Sequence, residues 1–112
     1  MDLGKDLVAA SATPLVLAIL AEGESYGYAI IKRVSERSGG HLNWTDGMLY
    51  PVLHRLERNG LVAAKWGSSE SGRRRKYYRL TKEGRSELEA ERKRWQMVDE
   101  TLRGLWMTAC LA

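Results

Sequence analysis

The chain has 112 residues, about one domain's length, and its 44% hydrophobic and 29% charged content argues against both wholesale disorder and a membrane protein. Eighteen Lys and Arg against fourteen Asp and Glu leave a formal charge of +4, which favours a polyanionic partner only where the charge is clustered. Cys110 is the only cysteine, which excludes an intrachain disulfide, and the Met1–Asp6 start lacks the basic and apolar regions of a secretory leader, so a cytoplasmic protein is expected.

Leu15–Leu20 is almost wholly apolar, with Pro14 placed as a first-turn proline and Glu22-Gly23-Glu24 closing the run. It predicts a buried helix over Ala12–Ala21, too short to span a bilayer, which needs about 20 apolar residues. Leu3–Ala10 leaves open whether a separate helical turn precedes it. Ser25 is expected to cap a second helix, Tyr26–Ser38, with Tyr28, Ile31 and Val34 as its inner stripe and Lys32, Arg33, Glu36 and Arg37 facing water. Gly39-Gly40 ends it as a left-handed cap, and Gly27 in its first turn implies a close backbone approach to a neighbour.

Thr45 is the expected N-cap of a third helix, whose Leu49, Val52, Leu53 and Leu56 recur at buried-face spacing until Asn59-Gly60 stops it. Pro51 lies beyond the first turn, which predicts a distorted or late start. Leu61–Trp66 and Lys76–Leu80 read as a β-hairpin with a Gly67–Gly72 tip. Thr81 then caps a long polar helix with Glu83 in its first turn. Along it Leu88, Trp95, Val98, Leu102 and Leu105 keep one seam on one side, interrupted by Glu91, and such a seam requires a partner helix, parallel, antiparallel or crossing.

Helix, helix, helix, hairpin, helix is the winged helix-turn-helix order, mainly α with a small β-hairpin. Residues 1–80 form the expected DNA-binding unit and 81–112 the dimerisation helix. With its leucines turned inward, the third helix exposes Asp46, Gly47, Tyr50, Pro51, His54, Arg55 and Arg58 to a major groove about 12 Å wide. Thr45 and the free amides at the helix start suit a phosphate, Tyr50 and His54 suit phosphate or base edges, and Arg55 suits guanine or phosphate. Asp46 would repel phosphate unless it caps an amide or accepts from cytosine. Arg73, Arg74, Arg75 and Lys76 put the densest charge of the chain on the wing, where each phosphate contact steepens the salt dependence of binding.

Three segments carry a family likeness: Tyr26-Gly27-Tyr28-Ala29-Ile30, then Gly47-Met48-Leu49-Tyr50-Pro51-Val52-Leu53-His54-Arg55-Leu56-Glu57-Arg58-Asn59-Gly60-Leu61-Val62, then Arg75-Lys76-Tyr77-Tyr78-Arg79-Leu80-Thr81-Lys82-Glu83-Gly84. The chain resembles the PadR family of bacterial transcriptional regulators over roughly Leu15–Leu105, and its short C-terminal region is similar to the smaller subfamily. The resemblance implies a homodimeric repressor of a palindromic promoter site, released by a small molecule. It places Gly47–Arg55 in the major groove, makes Gly67–Lys76 the wing and packs the last helix on its twin. Met48 departs from the small or β-branched polar residue of many relatives. The resemblance also suggests Trp95 as a stacking surface for a flat aromatic or hydrophobic effector at the subunit seam, against the plainer reading of Trp95 and Trp106 as core or interface.

No catalytic constellation is marked by spacing within the sequence. His41 and His54 lack metal-ligand or carboxylate partners at a usable spacing, Cys110 has no histidine beside it, and no phosphate loop or nucleophile elbow occurs, so no enzyme, metal or cofactor is expected. The competing reading is a dimeric winged-helix adaptor that binds protein and not DNA.

Overall fold

The computed structural model describes residues 1–111. It runs α1 (Lys5–Ala21), β1 (Ser25–Tyr26), α2 (Gly27–Arg37), α3 (Asp46–Arg58), β2 (Val62–Ser68), β3 (Arg74–Leu80) and α4 (Lys82–Leu111). Ala112, the last residue of the expected 81–112 segment, lies outside the described residues. Val16, Leu17 and Leu20 of α1, Ile30 and Val34 of α2, and Leu49, Leu53 and Leu56 of α3 close one core with Trp44, Val62, Tyr78 and Leu80. Helices packed with a small antiparallel sheet, followed by a long helix, give the α+β winged-helix class that the order of elements predicts.

α1 differs most from expectation. It is one continuous helix from Lys5, so Pro14 is interior to it and not in a first turn. The proline withholds the amide that would bond the Ala10 carbonyl; Ala10 is exposed, so water can satisfy that carbonyl, while Pro14 lines an apolar groove together with Leu15 and Trp95. Pro51 is likewise inside α3, which nonetheless begins at Asp46 with no late start. There Thr45 Oγ1 accepts from the Met48 N–H at 3.3 Å, the expected cap.

Ser25 does not cap α2. Ser25 and Tyr26 form a short strand against Tyr78 and Tyr77, so the sheet has three strands in the order β1-β3-β2, with β3 central. The buried residues of α2 are therefore Gly27, Ile30 and Val34, whereas Tyr28 is 68% exposed. Gly39 and Gly40 take positive φ of 64° and 84° after α2, as the expected left-handed ending requires. β2 and β3 pair from Val62↔Leu80 to Ser68↔Arg74, a longer hairpin than the sequence pattern marks, with its tip at 69–73. The added pairs are Gly67↔Arg75 and Ser68↔Arg74, which lack the β-branched or apolar character that marks a strand in the sequence.

Thr81 joins hairpin to α4. Its N–H donates to the Leu61 carbonyl at 3.1 Å, its hydroxyl donates to the Gly60 carbonyl at 2.7 Å, and the same oxygen accepts from the Gly84 N–H at 3.0 Å. Thirty residues of helix extend about 45 Å at 1.5 Å per residue, and the molecule is accordingly elongated, 61 × 30 × 20 Å. Leu88 packs on the core, while Val98, Leu102, Leu105, Trp106 and Met107 are exposed along the distal half of α4.

Candidate nucleic-acid interface

At about 100° per residue, the buried leucines of α3 fix which positions face outward. Gly47, Pro51, His54 and Arg58 form the stripe opposite the core, and all four are exposed. Tyr50 lies on the flank towards the hairpin, with its ring 6.1 Å from that of His54. Met48 and Arg55 lie on the opposite flank. Met48 packs partly on the core and lines a shallow groove with Lys5, Val8 and Ala9 of α1. Arg55 donates from Nη2 to Thr13 Oγ1 at 2.8 Å, so its guanidinium is tied to α1. Thr45 and Asp46 are exposed at the helix start.

Tyr50 owes its position to Gly27. A Cβ built at Gly27 would stand 2.5 Å from the Tyr50 hydroxyl and 3.0 Å from its Cζ, so only glycine lets the phenol lie against the start of α2. This is the close approach that the mid-motif glycine implied.

The wing faces α3 across a cleft of about 740 Å³ lined by Tyr26, Tyr28, Tyr50, His54, Trp66 and the basic run Arg73–Lys76, with Gly27 and Tyr78 at its wall. The four basic residues have different partners. Arg73 and Arg74 are exposed, and Arg74 sits 4.9 Å from the centroid of the Trp66 ring. Arg75 is half-buried, 3.7 Å over the Tyr26 ring, which itself meets Tyr77 edge-on at 5.7 Å. Lys76 Nζ lies 3.6 Å from Glu57 Oε1 of α3. At the tip, Ser69 N–H donates to the Arg73 carbonyl at 2.8 Å and Gly72 N–H to the Ser69 carbonyl at 2.9 Å, so the loop carrying Arg73 is an ordered turn.

Tyr78 lies beneath this surface, 1% exposed, and its hydroxyl has no hydrogen-bond partner. Burial, aided by the Glu57 charge and Tyr50, pushes its phenol up to about 12 from the usual 10. The cleft thus combines cationic and hydrogen-bonding groups over an apolar floor, a composition suited to a sugar-phosphate backbone and unsuited to nucleophilic chemistry. No group of three His, Cys, Asp or Glu side chains that could hold a metal occurs among the described residues.

Three aromatic residues of this cleft escape a reading of the sequence. Tyr28 scores as apolar on a helical stripe, and its exposure follows from Gly27, Ile30 and Val34 filling the inner face. Tyr26 belongs to a strand whose partner is far along the chain. Trp66, 60% exposed, pairs with Lys76 in the hairpin register, so it shares that residue's side of the sheet.

A second surface lies between the first half of α1 and α4. Leu3, Leu7, Val8, Pro14, Leu15, Leu42 and Trp95 line an apolar groove of about 370 Å³. The Trp95 indole N–H donates to Glu91 Oε2 at 3.2 Å, so the acidic residue that interrupts the seam orients the ring, and Arg94 in turn pairs with Glu91 at 3.2 Å. Leu88 and Trp95 are half-buried within the single chain; Val98, Leu102 and Leu105 have no cover there. Cys110 is exposed near the end of α4. Among the described residues no helix is long and apolar enough to cross a membrane.

The model of the transcriptional regulator PadR-like family matches residues 16–90, which take in α1 from Val16, the whole cleft and the first turns of α4. The chain is 35% identical over 95 residues to the transcriptional regulator Rv3488 of Mycobacterium tuberculosis, covering 84% of this chain and 85% of that one. It is 28% identical over 92 residues to the negative transcriptional regulator PadR of Bacillus subtilis, covering 82% of this chain and 50% of that protein's length. A transcriptional regulator from Clostridium thermocellum superposes with a TM-score of 0.81 at 29% identity, over 90% of this chain and 95% of that one. Family members are transcriptional regulators and not enzymes, which agrees with the lack of a catalytic constellation. With the family model spanning both α3 and the wing, the chain belongs to the PadR-like family of transcriptional regulators.

Proposed function

We propose that the chain is a homodimeric repressor that binds double-stranded DNA, with α3 in the major groove and the β2–β3 wing on the adjoining backbone or minor groove. The observation that carries this reading is the single cleft in which Tyr50 and His54 of α3 face Arg73 and Arg74 of the wing. A helix about 10–12 Å across fits a major groove about 12 Å wide, and a basic wing beside it meets the phosphates flanking that groove. Gly47, Pro51, His54 and Arg58 are the positions of α3 nearest the bases. In this division of labour residues 1–80 read DNA and 81–112 dimerise. A cytoplasmic location goes with this reading.

Dimerisation is supported by the apolar residues that α4 leaves uncovered, Val98, Leu102, Leu105 and Trp106. A twofold pair would present two α3 helices to half-sites about 34–36 Å apart, or a multiple, which makes the operator a palindrome. The groove beside Trp95 has the apolar lining and aromatic wall that a small aromatic or hydrophobic effector requires, and ligand there would act on the dimer geometry through α4. The name of the Bacillus relative supports repression over activation.

Selection of bound duplexes from a random pool, followed by gel shift with Tyr50→Ala and His54→Ala, tests the reading. Each substitution is expected to weaken the selected duplex about tenfold or more, since a polar contact to a base edge, or a hydrogen bond to a charged phosphate, contributes about 1–3 kcal/mol. Unchanged binding by both variants would remove α3 from the interface.

A further inference from the structure

The four basic residues of the wing are not equivalent. Lys76 is 3.6 Å from Glu57 of α3, half-covered, and 5.5 Å from the centroid of the buried Tyr78 ring. Lys76 and Tyr78 sit on the same side of β3 and both line the cleft, and the ion pair joins that wall of the wing to α3. Arg73 and Arg74 are exposed and make no ion pair among the described residues.

We propose that Lys76 is a positioning residue: paired with Glu57, it sets the separation of the wing from α3, and phosphate contact falls to Arg73 and Arg74. The proposal rests on the DNA-binding reading above. Its physical basis is the charge of Glu57. If Lys76 turned to a phosphate, the Glu57 carboxylate would be left unpaired beside a polyanion, and like charges in a cleft repel. While the pair holds, the acid is neutralised and the two reading elements keep one spacing.

The two roles are separated by Glu57→Asp, which withdraws the carboxylate by one methylene without altering the charge. A phosphate-binding Lys76 would hold duplex affinity at the wild-type level or above it. A positioning Lys76 would lose its anchor, so affinity would fall, by roughly threefold for a pair this accessible. The measurement is fluorescence anisotropy of the full chain on a duplex selected by the wild type, over a salt series.

Lys76→Gln is expected to weaken binding by roughly the same threefold while leaving the slope of log K against log salt unchanged. Loss of about 0.9 from that slope would instead assign Lys76 a phosphate. The charge-swapped pair Glu57→Lys with Lys76→Glu is expected to return affinity to within about twofold of wild type, because the bridge is rebuilt with its polarity reversed. A swap weaker than either single change would overturn the proposal, as would wild-type or tighter binding by Glu57→Asp. Failure of the wild type to select or bind any duplex would overturn the DNA-binding reading itself and this proposal with it.

Discussion

Gly84→Ala sets helix propensity against packing in a way that the structure decides. Alanine in place of glycine inside a helix ordinarily gains about 1 kcal/mol. At Gly84, however, the added methyl would drive into the Leu61 carbonyl and stand 3.0 Å from Leu80 Cδ2. The carbonyl is main chain, and it already accepts from the Thr81 N–H at 3.1 Å, so it cannot move without breaking the junction of hairpin and α4. Overpacking costs about 1–3 kcal/mol, with the upper end apt where backbone must shift, which leaves a net loss of about 2 kcal/mol. At roughly 4 °C per kcal/mol for a chain of this size, Tm should fall by about 8 °C. Thermal melting by circular dichroism at one fixed protein concentration reads the shift, since an oligomer's Tm moves with concentration. A variant more stable by about 4 °C, the propensity gain alone, would refute the account of how α4 is docked.

Gly27→Ala should leave Tm within a few degrees, because the clash is with the mobile end of a side chain, yet weaken duplex binding about tenfold by displacing Tyr50; equal affinity would dissociate Tyr50 from the interface. Tyr78→Phe removes a buried hydroxyl without a partner, so stability in urea should be unchanged or up to about 1 kcal/mol higher, and a clear loss would mean that the hydroxyl is bonded in solution. Because the Tyr78 pKa is raised in the folded chain to about 12 from 10, the unfolded state loses its proton first. Its contribution is therefore complete below pH 10 and lost as pH rises towards 12; the Phe variant should show a shallower decline over that window by urea titration. Leu102→Asp with Leu105→Asp, at exposed seam positions, should yield a monomer by light scattering at tens of micromolar protein, and an intact dimer would move the interface elsewhere.

How much of this could be read from the chain depended on whether a signal was local. The inner face of α3 follows directly from Leu49, Val52, Leu53 and Leu56, and Thr45 and Thr81 act as caps where their positions predict. β1 was not legible, because two residues carry no alternation and Ser25-Tyr26 become a strand only by meeting Tyr77 and Tyr78. The same pairing explains why Ser25 is not a cap and why Tyr28 faces the cleft. The sequence pattern starts α1 too late because Pro14 resembles a first-turn proline, whereas exposure of Ala10 lets the helix pass through it. In the site, residue types marked the wing, but their partners came only from folding. Arg55 reaches back to Thr13, Arg75 stacks on Tyr26 and Lys76 pairs with Glu57, contacts between elements that no spacing within one segment encodes.

The central claim, that α3 and the wing together form a DNA surface, is tested most directly by the salt dependence of duplex binding in the Arg73→Ala, Arg74→Ala double variant. The account predicts weaker binding and a slope of log K against log salt smaller than wild type by about 1.8, two phosphates at about 0.9 each. Wild-type affinity and slope in a folded double variant would contradict it.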